Sequence, residues 1–143
     1  MTKITPEEFE AIARDQVPLV GYLGVTIEHL GDGVATGRAP YRPEFLRPGG
    51  TVSGPVMMAL ADFVMYAAVL GRIGRVELTV TTNLSINFLR RPSPRDVIAH
   101  ARLIKSGRRL AVGEVDMYSE GEDDMIAHVT CTYSIPPVIG DKP

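Results

Sequence analysis

Gly54-Pro55-Val56-Met57-Met58-Ala59-Leu60-Ala61-Asp62-Phe63-Val64-Met65-Tyr66-Ala67-Ala68-Val69-Leu70 is apolar at nearly every position and carries a single charge, Asp62, near its middle. The run invites a membrane reading, but it is shorter than the roughly 20 residues a bilayer requires, and a central carboxylate is costly in lipid. A helix buried on all sides within a protein satisfies both observations. Ser53 offers a hydroxyl at the N-cap, and Pro55 suits a first turn where its missing N–H costs nothing. Gly71 to Gly74 end the helix.

Downstream of this helix the pattern is all strand. Leu78 to Leu89 is rich in Thr, Val, Ile and Phe, and the proline-containing stretch Arg90 to Asp96 breaks it. Val97 to Ile104 and Leu110 to Tyr118 are linked by the turn Lys105-Ser106-Gly107-Arg108, and Met125 to Ile135 follows the acidic hairpin Glu120 to Asp124. Upstream, Thr5-Pro6-Glu7-Glu8 opens a first helix that is expected to fade before Pro18. Tyr22 to Leu30 alternates like a strand, Gly31-Asp32-Gly33 turns, and Val34 to Ala39 returns beside it. Pro40 to Thr51, with its prolines and glycines, is expected to be loop.

Short hairpins imply an antiparallel sheet, and a lone apolar helix buries its whole circumference only if a curved sheet wraps it. The expected fold is therefore α+β, one domain over residues 1–143, with a helix within residues 1–17 and a tail at 136–143.

Composition narrows the function. The chain has 143 residues, 45% hydrophobic and 22% charged, with a net charge of -2, which lacks the basic excess that nucleic-acid binding requires. A local basic site for a small phosphorylated ligand stays open. Cys131 is alone, so it forms no intrachain disulfide and no cysteine-based metal cluster. Met1 to Glu8 is too acidic and polar for a signal peptide, and the cytoplasm is the expected location.

Asp62 is the most informative residue. A buried carboxylate costs several kcal/mol unless it is paired or protonated. It is either a satisfied structural group or a desolvated base or nucleophile, and the pattern leaves both readings open. Gly54, at the helix start, has an N–H free to polarise a carbonyl, or else it serves only to turn the chain. His29, His100 and His128 lie in strand-like stretches without metal spacing and read as surface or packing residues. Cys131 reads as a packed small side chain. Met57, Met58 and Met65 form either an adaptable apolar pocket or plain core. Gly49-Gly50 match no phosphate loop, because no Lys-Ser/Thr follows.

The stretch from Arg47 to Asp62, ending in Leu60-Ala61-Asp62, resembles the PaaI-like branch of the hotdog-fold acyl-CoA thioesterases. That branch enters its central helix through His-Gly-Gly and carries its catalytic Asp in a Leu-Ala-Asp. Thr81 to Pro92, Ser106 to Ala111 and Ala127 to Tyr133 also fit, so the resemblance covers roughly Val17 to Ile135. It implies a hotdog fold, an antiparallel sheet wrapped around the central helix, and hydrolysis of acyl-CoA to free acid and CoA. Asp62 matches the catalytic acid, Gly54 the carbonyl-polarising amide, and Thr81, within one residue, a hydroxyl that orients water in some members. Ser53 replaces the usual His, Pro55 the second Gly, and Arg47 stands where some members have Asn, within reach of pairing with Asp62 if the fold brings them together.

The resemblance further implies a homo-oligomer, a dimer or dimer of dimers, with active sites formed between two chains. No metal or redox cofactor is implied, CoA entering as part of the substrate. Ser53, Arg47 and Met58, with the basic residues Arg90, Arg91, Arg108 and Arg109, form the expected substrate-binding set. A non-hydrolytic acyl-CoA or lipid-binding protein is the rival function. A hydratase, which needs a His paired with a helix carboxylate, fits least because the helix has no His.

Overall fold

The computed structural model describes residues 1–137, so the expected tail at 136–143 lies outside the described residues from position 138 onward. In chain order the elements are α1 (Pro6–Gln16), α2 (Pro18–Leu23), β1 (Thr26–Gly31), β2 (Val34–Ala39), a 3-10 turn at Pro43–Phe45, β3 (Leu46–Arg47), β4 (Thr51–Val52), α3 (Gly54–Ile73), β5 (Val80–Phe88), β6 (Val97–Ser106), β7 (Leu110–Ser119) and β8 (Met125–Ser134). Six strands form one antiparallel sheet in the order β1-β2-β6-β7-β8-β5. The sheet curves around α3, whose Leu60, Val64, Ala67, Ala68, Val69 and Leu70 are all fully buried. This is the α+β hotdog architecture expected.

Local chemistry sets most boundaries. Thr5 and Glu8 form a reciprocal capping box on α1, with Glu8 N–H donating to Thr5 Oγ1 (3.1 Å) and Thr5 N–H to Glu8 Oε1 (3.3 Å). Phe9 then pins α1 to the central helix, its ring centroid 5.1 Å from Phe63 and 5.7 Å from Tyr66. Four features differ from expectation. Tyr22 and Leu23 are helical rather than extended, because Pro18 starts a second helix at once and Gly24, at φ 71°, closes it. The stretch expected to be loop holds the two-stranded ribbon β3–β4, in which Arg47 pairs with Thr51 across Gly49 and Gly50, both at positive φ.

α3 runs to Ile73, 20 residues, and is long and apolar enough to cross a membrane by length and composition. Length therefore does not exclude a span. Burial accounts for the helix instead: its apolar surface is largely consumed by the sheet. The fourth difference is that the burial is incomplete. Pro55, Met58, Ala59 and Asp62, at helical spacings of three and four, form a stripe that the chain's own sheet leaves uncovered.

Candidate active site

Asp62 ends that stripe, half-buried in the wall of a cavity of about 240 Å³. Apolar side chains from the α2 region (Val17, Leu19, Val20, Leu23) and from α3 (Ala59, Phe63) line it. Tyr66, Thr79, Thr81 and Tyr133 add hydroxyl-bearing residues to the lining. Thr81 Oγ1 donates to Asp62 Oδ1 at 2.6 Å, and Tyr133 Oη donates to the same oxygen at 2.5 Å while also lying 2.7 Å from the Asp62 carbonyl. Hydroxyl donors, not a cation, therefore hold one oxygen of the carboxylate, Oδ1.

A β-bulge explains why Thr81 makes this bond. Thr81 pairs with Tyr133 and Asn83 with Thr132, so Thr82 is extra on β5. Strict alternation from Leu84 and Ile86 would turn Thr82 toward the helix. The bulge shifts the phase by one, so Thr81 faces α3 instead, and Thr82 hydrogen-bonds the Thr132 carbonyl (3.3 Å). Of the two adjacent threonines, it is therefore Thr81 that reaches Asp62.

Neighbouring titratable groups are held neutral. Burial, and then the nearby Asp62 charge, push the Tyr133 phenol far above its usual range, so it remains a donor. The same two causes push the Cys131 thiol up to about 12, leaving it protonated and packed, as its strand position suggested. The Thr79 hydroxyl is buried with no hydrogen-bond partner.

Gly54 stands elsewhere. It is the first residue of α3, so its N–H has no partner within the helix, and it lines a second cavity of about 620 Å³ with Arg47, Met57, Phe88, Arg90 and Arg91. Glycine is also favoured there structurally. A residue with a Cβ is disfavoured in helical conformation before Pro55, and a Cβ at 54 would meet the Phe88 ring at 3.1 Å. Ser53 occupies the N-cap, but its hydroxyl makes no capping bond. Asp62 lies eight positions on from Gly54 along α3, about 12 Å of helix, so one chain cannot set both on one carbonyl group.

The remaining expected site residues are scattered. Within one chain Arg47 forms no ion pair with Asp62 and faces the Gly54 cavity. Arg91 Nη2 donates to the Gly49 carbonyl (3.2 Å), and Arg90 pairs with Asp124 (3.3 Å). Arg108 and Arg109 lie in the β6–β7 turn, where the Arg109 carbonyl accepts from Ile135 N–H (2.8 Å), next to the Tyr133 end of β8. Met58 is exposed and lines neither cavity, whereas Met57 and Met65 are core. His29 and His100 are exposed, and His128 joins an outer-face cluster with Glu114 and Asp116. Among the described residues no group of three or more His, Cys, Asp or Glu could hold a metal.

Two parts of the site escaped the sequence. The α2 wall was hidden because Tyr22 and Leu23 continue the strand-like pattern that follows them, while Pro18 to Gly21 carries no clear periodicity. Tyr133 had a usable signal: it falls in register with the inward-facing Val129 and Cys131, and an inward phenol needs a partner.

Comparison with known proteins agrees with this geometry. The chain is 45% identical to a protein of Silicibacter sp. TM1040 with a provisional thioesterase name, whose crystal structure superposes with a TM-score of 0.86 over 96% of this chain and 95% of that one. It is 28% identical to a point mutant of the phenylacetic acid degradation protein PaaI of Thermus thermophilus, with a TM-score of 0.73 over 83% of this chain and 99% of that one. A protein of Saccharolobus solfataricus provisionally named an esterase is 26% identical over 84% of this chain and 79% of its own length. The family model for the thioesterase superfamily matches residues 49–126, from the β3–β4 turn through α3 to the start of β8, and the chain belongs to that superfamily as a PaaI-like hotdog protein.

Proposed function

We propose that this protein hydrolyses acyl-CoA thioesters to the free acid and CoA, at sites shared between two copies of the chain. The observation that carries this reading is the Asp62 carboxylate, set by two hydroxyl donors in the wall of a largely apolar cavity. The cavity takes the acyl group. The thioester oxygen is held by the N–H of Gly54 of the partner subunit, at the positive end of its helix. As a base, Asp62 takes a proton from water while the water oxygen bonds to the thioester carbon; the C–S bond breaks and the sulfur leaves with its electron pair, to be protonated. As a nucleophile, the carboxylate itself bonds to that carbon and expels the thiolate, and water then hydrolyses the resulting anhydride. Neither route uses a metal or redox cofactor. Arg47, Arg90 and Arg91 around Gly54, with Arg108 and Arg109 near the Tyr133 end, supply guanidinium groups for the CoA phosphates. A water-soluble CoA ester fits the cytoplasmic location expected.

Asp62→Asn tests the reading. The amide retains an oxygen to accept from Thr81 and Tyr133, so the melting temperature holds or rises while kcat falls by about 10² or more, the scale of losing a general base. A folded variant with undiminished turnover would remove Asp62 from the mechanism. Acyl-CoA or lipid binding without hydrolysis is the second reading, favoured by the replacements at Ser53 and Arg47. It predicts substrate binding with no CoA release across a panel of acyl-CoA esters.

A further inference from the structure

Tyr133 is fully enclosed, yet it carries a hydroxyl. A buried phenol is costly unless its O–H finds a partner, and the acceptors it reaches among the described residues are the carbonyl and Oδ1 of Asp62. Its cross-strand partner is Thr81, the bulge-aimed residue that donates to the same Oδ1. The Tyr133 ring is held by stacking on Tyr66, centroids 6.1 Å apart and planes 22° from parallel. Two donors thus converge on one carboxylate oxygen from adjacent strands, while Oδ2 has no hydrogen-bond partner among the described residues and is not one of the sealed polar atoms.

We infer that Tyr133 is a positioning residue, clamping Asp62 Oδ1 together with Thr81 so that Oδ2 is the oxygen that takes the proton or attacks the thioester carbon. The inference rests on the proposed role of Asp62. A carboxylate free to rotate about its Cβ–Cγ bond would present either oxygen in a spread of directions. The clamp fixes the carboxylate plane and aims one oxygen, which is how orientation lowers a barrier without tightening substrate binding. Tyr133 has one proton and two acceptors. When Asp62 loses its negative charge during turnover, the phenol can turn to the Asp62 carbonyl and stay satisfied.

The test is Tyr133→Phe, which keeps the ring and its stacking. Expected is a fall in kcat of about tenfold, the scale of one hydrogen bond to a charged group, with KM for acyl-CoA within about twofold. Thr81→Val should behave alike, and Thr81→Ser, which restores the donor, should recover most of the loss. In an Asp62→Asn background the Tyr133→Phe substitution should cost nothing further, because a residue acting through Asp62 has nothing left to orient. Overturning results are an unchanged kcat, a rise in KM that carries the whole effect, or the same loss again in the Asp62→Asn background. If Tyr133→Phe does not fold, unchanged turnover in Thr81→Val overturns the clamp by itself. Full activity in Asp62→Asn would instead sink the proposed function, so the two failures are distinguishable.

Discussion

Gly54 lies against the ring of Phe88, so close that a Cβ at position 54 would come within 3.1 Å of Phe88 Cζ. The start of α3 therefore rests on the last residue of β5, while Asp62, two turns on, is bonded to Thr81 at the other end of the same strand. β5 is a sheet edge, paired on one side with β8 and on the other with nothing among the described residues, and its terminal Val80 and Phe88 are 57% and 53% exposed. An unpaired edge with apolar ends is a template for another strand. Antiparallel pairing of β5 with the β5 of a second copy, about a two-fold axis, exchanges the ends of the strand. In the dimer proposed above, the Thr81 end of one copy would meet the Phe88 end of the other, bringing together the carboxylate and the helix amide that are kept apart within one chain.

The same exchange would gather arginines. Arg90 and Arg91 follow Phe88, and Arg108 and Arg109 turn beside the Tyr133 end, so two copies paired in this way would bring both groups to one site. Arg91→Ala and Arg108→Ala should raise KM for acyl-CoA several-fold, in line with the ~1 kcal/mol of a solvent-screened charge contact. A short thioester without the nucleotide should show almost no change. Steady-state kinetics on the two substrates decide the matter: equal effects on both would place the arginines outside the nucleotide contact.

Much of this was legible in residue order. The apolar run with its lone carboxylate marked the central helix, and Gly107 and Gly121 marked hairpins that keep the later strands antiparallel. What stayed hidden depends on tertiary pairing. The bulge at Thr82 exists only because β5 must match β8, and without it Thr81 could not be preferred to its neighbour. α2 was masked because Tyr22-Leu23-Gly24-Val25 alternates in hydrophobicity, although the Pro18 and Gly24 bracket was present in the chain. The open stripe on α3 could not be read from composition, since Pro55, Met58 and Ala59 are as apolar as their buried neighbours. Where the sheet stops is a property of the sheet.

The outer face of the sheet carries a pH-sensitive group. Glu114 accepts from His128 Nε2 (2.9 Å) and from Arg102, and these bonds, the histidine's first, hold its carboxyl below the ordinary 4.5 against the opposing effect of burial. A carboxyl depressed in the folded state adds stability that is fully present above its unfolded value and is lost as pH falls through the folded one. The wild type should therefore lose melting temperature below about pH 4.5, and Glu114→Gln should lose less over that interval, by a margin within the ~1 kcal/mol of a partly exposed pair. Thermal unfolding of both proteins between about pH 3 and 7, the range of ordinary carboxyl titration, checks this. Parallel curves would show that the cluster contributes nothing to acid stability.

The composite site can be tested by mixing two broken chains. Asp62→Asn removes the carboxylate and leaves the helix amide intact. Gly54→Val forces a branched side chain into Phe88 and before Pro55, disturbing the amide and leaving the carboxylate intact. Each variant alone should be nearly inactive. In a co-assembled pair, one site inherits both defects and the other inherits neither, because its carboxylate comes from the Gly54→Val chain and its amide from the Asp62→Asn chain. Random mixing makes half the dimers mixed, each with one sound site of two, so about a quarter of wild-type activity should return. Sedimentation on the same samples should show dimers or larger assemblies at micromolar concentration. Activity confined to the sum of the two separate variants would mean that each site is built within one chain. A stable folded monomer would remove the shared site altogether, and with it the reason for Gly54 and Asp62 to stand so far apart on α3.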